Sequence, residues 1–147
     1  MNRMIIALAA TMLTAAAPEP HAPAGGNLVV KLSGLRSAKG QVLLCLTSSA
    51  TRFLKCQDDR AAVARTVGAG HAQSFDLGRV PSGAYALLIV HDENGNGKLD
   101  MMMGIPREGF GFSNNPAMKP RAPKWEEIRF TMPASALKQQ VRIRYVL

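Results

Sequence analysis

Apolar residues recur at every second position in several short runs, a period typical of β-strands with one buried face. In the run 27–33, Leu28, Val30 and Leu32 fall on one side of an extended chain. Runs of the same kind, bounded by Gly and Pro, occupy residues 41–47, 74–80, 127–132 and 139–147. Helical periodicity is almost absent, so this pattern limits the chain to an all-β fold.

The run 84–90 (AYALLIV) is apolar throughout, which suits a central strand covered on both faces. The runs 27–33 and 41–47 are joined by a turn-like segment and are expected to form a hairpin. The segment 58–66, with four Ala or Val, is the one candidate for a helical turn. Together these features predict a single antiparallel β-sandwich of six to seven strands.

Residues 1–17 are excluded from that fold because they have the features of a secretory signal peptide. Arg3 precedes a short apolar run at 4–13, and small residues follow it. A membrane-spanning helix needs about 20 apolar residues, so this run is too short to be one. Residues 18–26, rich in Pro and Gly, are expected to be a disordered leader before a domain at 27–147. We therefore expect a periplasmic or secreted protein.

Export changes how the two cysteines, Cys45 and Cys56, are interpreted. Thiols this close in sequence pair readily in an oxidising compartment, and their disulfide would stabilise the fold by about 2 to 3 kcal/mol. Two separately buried thiols are the alternative, since Cys is also a common core residue. The spacing is not Cys-x-x-Cys, so the pair does not indicate a redox enzyme.

The segment His91 to Asp100 (HDENGNGKLD) follows the buried run and is the best candidate site. Its residues match positions 1, 3, 5, 6 and 9 of an EF-hand-type calcium loop, in which alternate side chains direct oxygen atoms toward one ion. The carbonyl of Lys98 would supply the backbone ligand. The predicted calcium ligands are Asp92, Asn94, Asn96, Lys98 and Asp100.

This calcium pattern is incomplete. Met103 stands where a bidentate Glu is expected, and calcium takes roughly six to eight oxygens, so water or a distant carboxylate, Glu108 being the nearest, must complete the shell. The alternative is a tight turn in which Asp92 and Asp100 hydrogen-bond nearby amides. His91 and the three consecutive Met at 101–103 do not favour copper, because consecutive Met cannot all face one ion. Weak calcium binding and a plain turn both stay open.

A long connection without sustained periodicity joins the run 84–90 to the run 127–132. Loops beyond about 12 to 15 residues are uncommon in compact domains unless they are functional or disordered. Apolar groups argue for order here, so we expect an excursion packed on the sandwich. Its candidate ligand-loop residues are Glu108, Phe110, Phe112 and Trp125.

The charge balance favours anionic partners. The chain carries 18 Lys and Arg against 10 Asp and Glu, a formal net charge of +8. Lipopolysaccharide, acidic glycans and phospholipid headgroups are the anionic components expected around an exported chain, and nucleic acid is not expected. The densest basic segment is 119–124, which is also interpretable as a solvated loop. No transmembrane segment is predicted in the mature chain.

The sequence contains no recognisable catalytic motif. His21, His71 and His91 lie in no nucleophile or metal motif, and Ser82 lies in a turn rather than a nucleophile elbow. The main prediction is therefore a non-catalytic binding or structural module. The alternative is an envelope enzyme that uses a metal or carboxylates in the region 91–108.

The run VPSGAYALLIVHDENGNGKLD, followed by GIPREGFGFSNNP, resembles the bacterial exported proteins grouped as domain of unknown function 2141. The resemblance extends over residues 27–147. It implies a small periplasmic or secreted domain with a transthyretin-like or immunoglobulin-like sandwich and no established activity. The polar segment also resembles the calcium-holding loops in the B repeats of Gram-positive surface adhesins, on the residues Asp92, Asn94, Gly95, Asn96, Gly97 and Asp100.

Overall fold

The structure is a computed structural model that describes residues 24–147. The predicted signal peptide and most of the predicted leader lie outside the described residues. Strands, one α-helix and two 3-10 helices follow one another in the described part of the chain. Their order is β1 (Gly25–Ser33), β2 (Gln41–Thr47), a 3-10 helix (Phe53–Asp58), β3 (Val63–Gly68), a 3-10 helix (Ala69–His71), β4 (Ser74–Pro81), β5 (Gly83–Asp92), β6 (Met101–Met102), β7 (Ile105–Pro106), β8 (Gly109–Phe112), α1 (Trp125–Ile128), β9 (Phe130–Met132) and β10 (Leu137–Arg142).

Two sheets form the layers of a sandwich. The smaller sheet has the strand order β10-β1-β4, and the larger has the order β3-β2-β5-β8 with β9 also pairing with β5. Strands β6 and β7 form a separate two-stranded ribbon. The inward residues of both sheets share one core, which includes Leu28, Val30, Leu32, Val42, Leu44, Leu46, Leu87, Ile89, Val141 and Ile143. The predicted all-β sandwich is confirmed, but its two sheets contain three and five strands, eight in all, where six to seven were predicted.

The expected hairpin between the first two runs is wrong. β1 pairs with β4 and β10, whereas β2 pairs with β3 and β5, so the segment 34–40 crosses from one sheet to the other. Gly40, with a φ of +69°, lies so close to the polar loop that a Cβ atom would meet the Cα of Glu93 at 2.7 Å. Alternation fixes which face of a strand is buried but not which strand lies beside it.

The sandwich also contains a parallel pair. β1 and β10 run in the same direction, with Leu28 opposite Leu137 and Ser33 opposite Arg142. The remaining strand pairs, those of β1 with β4 and within the larger sheet and the ribbon, are antiparallel. The expectation of an antiparallel sandwich therefore holds for every strand pair except this one.

The predicted helical turn at 58–66 is wrong from Val63 onward, and before it only a single turn forms, in which the N–H of Ala62 donates to the carbonyl of Asp59 at 3.0 Å. The first 3-10 helix ends at Asp58, and β3 begins at Val63. The β-branched side chains in this segment favour an extended conformation, and β3 pairs with β2 so that Val67 lies opposite Val42. The four Ala and Val residues therefore suggested a helical turn, but pairing with β2 makes the second half of the segment a strand.

The first strand begins before the predicted domain boundary. Gly25 and Gly26, which were predicted to belong to the leader, are buried in β1. A Cβ atom on Gly25 would meet the Cα of Pro81 at 2.9 Å. These glycines therefore allow close approach between strands rather than linker flexibility.

Cys45 and Cys56 lie at disulfide-bonding distance, as the predicted pairing requires. Their Cα atoms are 6.2 Å apart, and no free cysteine occurs between residues 24 and 147. Cys45 belongs to β2 and Cys56 to the first 3-10 helix. A bond between them ties this helix to the outer face of the larger sheet.

β5 and β8 together position the candidate site. β5 ends at Asp92, and β8 returns antiparallel to it so that His91 lies opposite Gly109. The segment between them is therefore an excursion from one end of the sandwich, and it contains the β6–β7 ribbon. No helix in the described residues is long and apolar enough to cross a membrane.

Candidate functional site

Asp92 is the centre of the polar loop that follows β5, and it is completely buried. Its Oδ1 accepts hydrogen bonds from the backbone N–H groups of Gly95 at 2.8 Å and Asn96 at 3.1 Å. Its Oδ2 accepts the N–H of Gly97 at 2.7 Å and the side-chain amide of Gln41 at 2.8 Å. Burial alone would raise the pKa of Asp92, but these hydrogen bonds outweigh it and hold the pKa below its usual value.

Asp100 closes the loop from the other side. Its carboxylate accepts hydrogen bonds from Nδ2 of Asn94 at 2.6 Å and from Nδ2 of Asn96 at 2.9 Å and 3.0 Å. The hydrogen bonds from Asn96 and Asn94 lower the pKa of Asp100. The side-chain oxygen of Asn94 accepts the N–H of Asn96, and that of Asn96 accepts the N–H of Lys98. Both amide nitrogens therefore face the carboxylate, and both amide oxygens face the backbone.

Glu108 joins the two ends of this loop. It is buried immediately before β8, and its Oε1 and Oε2 accept the backbone N–H groups of Glu93 at 3.0 Å and Asp100 at 3.1 Å. Glu108 was predicted to be the nearest additional carboxylate, and the fold brings it back against the loop. These two hydrogen bonds hold the backbone in place at the start and at the end of the loop.

Glu93 is turned toward the segment 34–40 and away from Asp92. Its carboxylate accepts a hydrogen bond from Nε of Arg36 at 3.0 Å and from the hydroxyl of Ser37 at 2.9 Å. The hydrogen bond from Arg36 is the main cause of a lowered pKa for Glu93, with burial opposing it. An open pocket of about 230 Å³ lies beside this pair, lined by Arg36, Glu93, Asn94, Asp100, Arg107 and Glu108.

His91 lies beneath the loop and is completely buried. Its Nε2 is 2.9 Å from the carbonyl oxygen of Lys39, and its Nδ1 is 2.6 Å from the hydroxyl of Tyr145. A carbonyl only accepts, so Nε2 carries the proton and Nδ1 accepts from the hydroxyl. The hydroxyl accepts the N–H of Arg36 at 3.1 Å in turn. Both ring nitrogens are therefore occupied by structural hydrogen bonds.

The predicted calcium ligands lie within one loop, but their side-chain oxygens face hydrogen-bond donors. An ionised carboxylate offers about four lone-pair positions, and Asp92 fills them with N–H groups. Calcium would have to displace some of these donors and turn the side-chain amides of Asn94 and Asn96. From residue 24 onward, no three His, Cys, Asp or Glu side chains are grouped to hold a metal. Calcium binding stays a prediction that requires local rearrangement of the loop.

Met103, which replaces the expected bidentate Glu, lies at the tip of the β6–β7 ribbon. It is 97% exposed and has a left-handed φ of 51°. Glu108, and not residue 103, therefore contacts the loop in this fold.

The chain matches the model of one known protein family over most of its length. A family model described as "Uncharacterized protein conserved in bacteria (DUF2141)" matches residues 30–140, more than half of the 147-residue chain. The chain belongs to the DUF2141 family. The matched range begins in β1, ends in β10 and includes the polar loop and both cysteines. No curated protein and no solved structure matches the chain.

The aromatic candidates of this DUF2141 domain do not join the polar loop. Phe110 and Phe112 lie on β8 with ring centroids 5.8 Å apart, and Trp125 begins α1. The ring of Trp125 is 5.8 Å from that of Phe53. Trp125 and Phe112 pack on a second apolar cluster formed by Phe53, Ala86 and Ile128. These aromatic residues therefore help to cover the larger sheet, and they do not share a pocket with Glu108.

The basic segment 119–124 of the DUF2141 domain is partly neutralised. Nζ of Lys119 and Nη2 of Arg121 lie 2.6 Å and 2.8 Å from Oε1 of Glu127. Hydrogen bonds from Arg121 and Lys119 hold the pKa of Glu127 far below its usual range. This segment therefore offers less free positive charge than its sequence suggests.

Three residues that complete the polar site of the DUF2141 domain were not identified from the sequence. Gln41 lies opposite Asp92 across the β2–β5 pair, and Arg36 and Tyr145 come from distant parts of the chain. A polar Gln at the start of an otherwise apolar strand is the one signal that could have indicated a partner for Asp92. The contacts of Arg36 and Tyr145 depend on the register and order of the strands.

Proposed function

We propose that this DUF2141 chain is an exported, non-catalytic binding or structural module of the bacterial envelope. The observation that carries the proposal is the internal use of the carboxylates in the polar loop. Asp92, Asp100 and Glu108 all accept hydrogen bonds from amides of the same loop or its support. A general acid or base needs a carboxyl group that can reach a substrate. Carboxylates held in this way favour a scaffold role.

The scaffold presents an apolar ribbon to its surroundings. Met101, Met102, Met103 and Ile105 are all exposed on β6, β7 and the turn between them. Met103 and Gly104 both have positive φ, 51° and 80°, as two-residue hairpin turns require. Large exposed apolar side chains grouped in this way are typical of interaction surfaces. The ribbon therefore supports a binding role better than a catalytic one.

The cysteine pair supports the proposed export. A Cα separation of 6.2 Å falls within the range that disulfides adopt, and disulfides persist in oxidising compartments. The N-terminal sequence, with Arg3 before a short apolar run, is the second support.

The proposal includes a weak calcium site in the same loop. The spacing of Asp92, Asn94, Asn96 and Asp100 supports it, as does their position within one loop, although the side-chain amides of Asn94 and Asn96 would have to turn their oxygens toward the ion. Only two ligand side chains would bring a formal charge. We therefore expect an affinity in the extracellular range, with a dissociation constant of about 10⁻⁴ to 10⁻³ M.

Cell fractionation and thiol alkylation together test the proposed export. The full chain is expressed in a bacterium, and the two cysteines are alkylated before and after reduction. We expect processed protein in the periplasmic or secreted fraction, with Cys45 and Cys56 protected until reduction and the mass lower by two hydrogens. Leu8→Arg, which interrupts the apolar run, is the matched control and should leave the chain in the cytoplasm with free thiols. An unprocessed wild-type chain in the cytoplasm with alkylatable thiols would contradict the proposal.

A further inference from the structure

The outward face of the smaller sheet carries four exposed cations. Lys31 lies on β1, Arg79 on β4, and Lys138 and Arg142 on β10. On β1 and β10 these side chains alternate with residues that face the core, and on β4 the exposed Arg79 lies beside the buried Val80, so all four lie on the solvent side of the sheet. The larger sheet packs against the opposite side.

The strand register brings these cations together. Lys31 lies opposite Gln140, and its neighbours on β10 two residues away in either direction are Lys138 and Arg142. Strands lie about 4.8 Å apart and rise about 3.3 Å per residue, so each diagonal pair is separated by roughly 8 Å. Arg79 lies at the other end of the face, opposite Asn27.

Little negative charge balances this group. Asp76 is the only carboxylate in β1, β4 and β10, and it already accepts hydrogen bonds from Nδ2 of Asn27 and the N–H of Gly78, both at 2.7 Å. The salt bridges within residues 24–147 are those of Arg36, Lys119 and Arg121, and none involves a cation of this face. The face therefore has a local excess of positive charge.

The shape of the face selects among anionic partners. It is a sheet surface without an aromatic side chain, because Phe75 of β4 lies opposite Val30 and packs on the core. Small ligands bind in concave sites, and single-stranded nucleic acids need aromatic stacking. A membrane surface needs only exposed charge over a broad area.

The free edge of β10 is closed to a further strand. The side-chain amide of Asn115 donates to the carbonyl of Gln140 at 2.8 Å, and its oxygen accepts the N–H of Arg142 at 2.7 Å. Asn115 thereby occupies the backbone groups that another strand would pair with. A second copy placed face to face would bring like charges together. Neither arrangement fits this face as well as an anionic surface does.

We propose that the outward face of the smaller sheet docks on an anionic phospholipid surface through Lys31, Arg79, Lys138 and Arg142. This inference deepens the proposed function, on which it rests, by naming an envelope component and the residues that meet it. Binding is reversible and sensitive to salt, because it depends on charge without inserted apolar groups on this face.

Vesicle sedimentation tests the proposal. The whole chain is mixed with vesicles of phosphatidylcholine alone or of phosphatidylcholine and phosphatidylglycerol. We expect binding to the anionic vesicles only and its loss at high salt. Lys31→Gln/Lys138→Gln should weaken binding by roughly 30-fold, since each cation near an anionic surface contributes about a fivefold gain.

Arg60→Gln/Arg65→Gln is the matched control, because it removes the same charge from exposed positions outside the smaller sheet. It should weaken binding far less, and thermal melting should show that both double variants are folded. A cytoplasmic location in the fractionation experiment would contradict the proposed function, whereas the vesicle result concerns the docking face alone.

Inorganic polyphosphate, added under the same conditions, distinguishes a soluble polyanion from a membrane. If wild-type protein fails to bind anionic vesicles, or binds only polyphosphate, the membrane proposal is wrong. Equal weakening by the two double variants would show that net charge alone drives binding and would also overturn it.

Discussion

The Nδ1 of His91 lies 2.6 Å from the hydroxyl oxygen of Tyr145, which connects the end of β5 to the segment after β10. The same hydroxyl accepts the backbone N–H of Arg36, in the crossing between β1 and β2. One side chain therefore links both sheets to the connection between them, directly beneath the polar loop.

We predict that Tyr145→Phe lowers the free energy of unfolding by about 1 to 3 kcal/mol, because the buried Nδ1 of His91 loses its only hydrogen-bond donor. Tyr85→Phe is the control, since the hydroxyl of Tyr85 makes no hydrogen bond within the described range. Urea unfolding of both variants measures the difference. Equal stability of the two variants would show that the His91 contact contributes nothing.

We predict that Gly111→Ala destabilises the domain by about 1 to 3 kcal/mol through overpacking. A Cβ atom at Gly111 would lie 2.7 Å from Cγ1 of Val141 and 2.9 Å from the carbonyl oxygen of Arg142. Gly68→Ala on β3 is the control, because no atom lies within 4 Å of the added methyl group and its φ of −57° is ordinary. Thermal melting should separate the two, and an equal effect would contradict the close approach of β8 and β10.

We predict that the domain loses stability as the pH falls below about 4. The pKa values of Asp92, Glu93 and Asp100 are all below their usual values in the folded chain. A group with a lowered folded pKa stabilises the fold above its unfolded pKa, and this contribution disappears as the pH falls through the folded value. Melting temperatures between pH 7 and pH 2 should therefore decrease only in the acidic part of that range.

Asp92→Asn should be less stable than the wild type at neutral pH and should lose less stability on acidification. Asp58→Asn, at an exposed carboxylate without a hydrogen bond of its own, is the control and should follow the wild-type curve. If Asp92→Asn loses as much stability on acidification as the wild type, Asp92 does not contribute to the loss of stability at low pH.

We predict that millimolar calcium raises the melting temperature by a few degrees, because an ion at ten times its dissociation constant adds roughly 1.4 kcal/mol. Asp100→Asn should reduce this increment, and magnesium should not replace calcium because it requires tighter octahedral geometry. Met103→Glu should leave the increment unchanged, since residue 103 lies at the ribbon tip. If calcium moves neither the melting temperature nor the amide resonances of residues 94–100, the loop is a plain turn.

Much of the fold follows from the alternation of apolar residues. The core positions Leu28, Val30 and Leu32 of β1 were placed on one face from sequence alone, and they are buried in the structure. The predicted pairing of the first two runs was wrong, because a period of two contains no information about which strand lies alongside. The assignment of Gly25 and Gly26 to a linker failed for a related reason, since glycine serves both flexible segments and close strand contacts.

The candidate site was predictable where its contacts are local. The side chains of Asn94, Asn96 and Asp100 contact one another within one loop, whereas the carboxylate of Asp92 accepts backbone N–H groups of that loop. The hydrogen bond that Gln41 donates to Asp92 depends on the register of β2 with β5. The hydrogen bonds that Glu108 accepts from the loop backbone depend on the return of β8 beside β5. The spacing of these residues indicated a set of metal ligands. It could not show that N–H groups already donate hydrogen bonds to the side-chain oxygens of those residues.

The parallel pairing of β1 with β10 also fixes the order in which the domain can be completed. β1 is the first of the described strands to be synthesised, whereas the strand that covers its edge at Leu28 is β10, which includes Leu137 and is the last of them. A nascent chain that has not yet reached Leu137 therefore exposes one edge of a largely apolar strand, and contacts so distant in sequence form slowly. Stable folding of the smaller sheet must consequently follow synthesis of β10, after the other described strands.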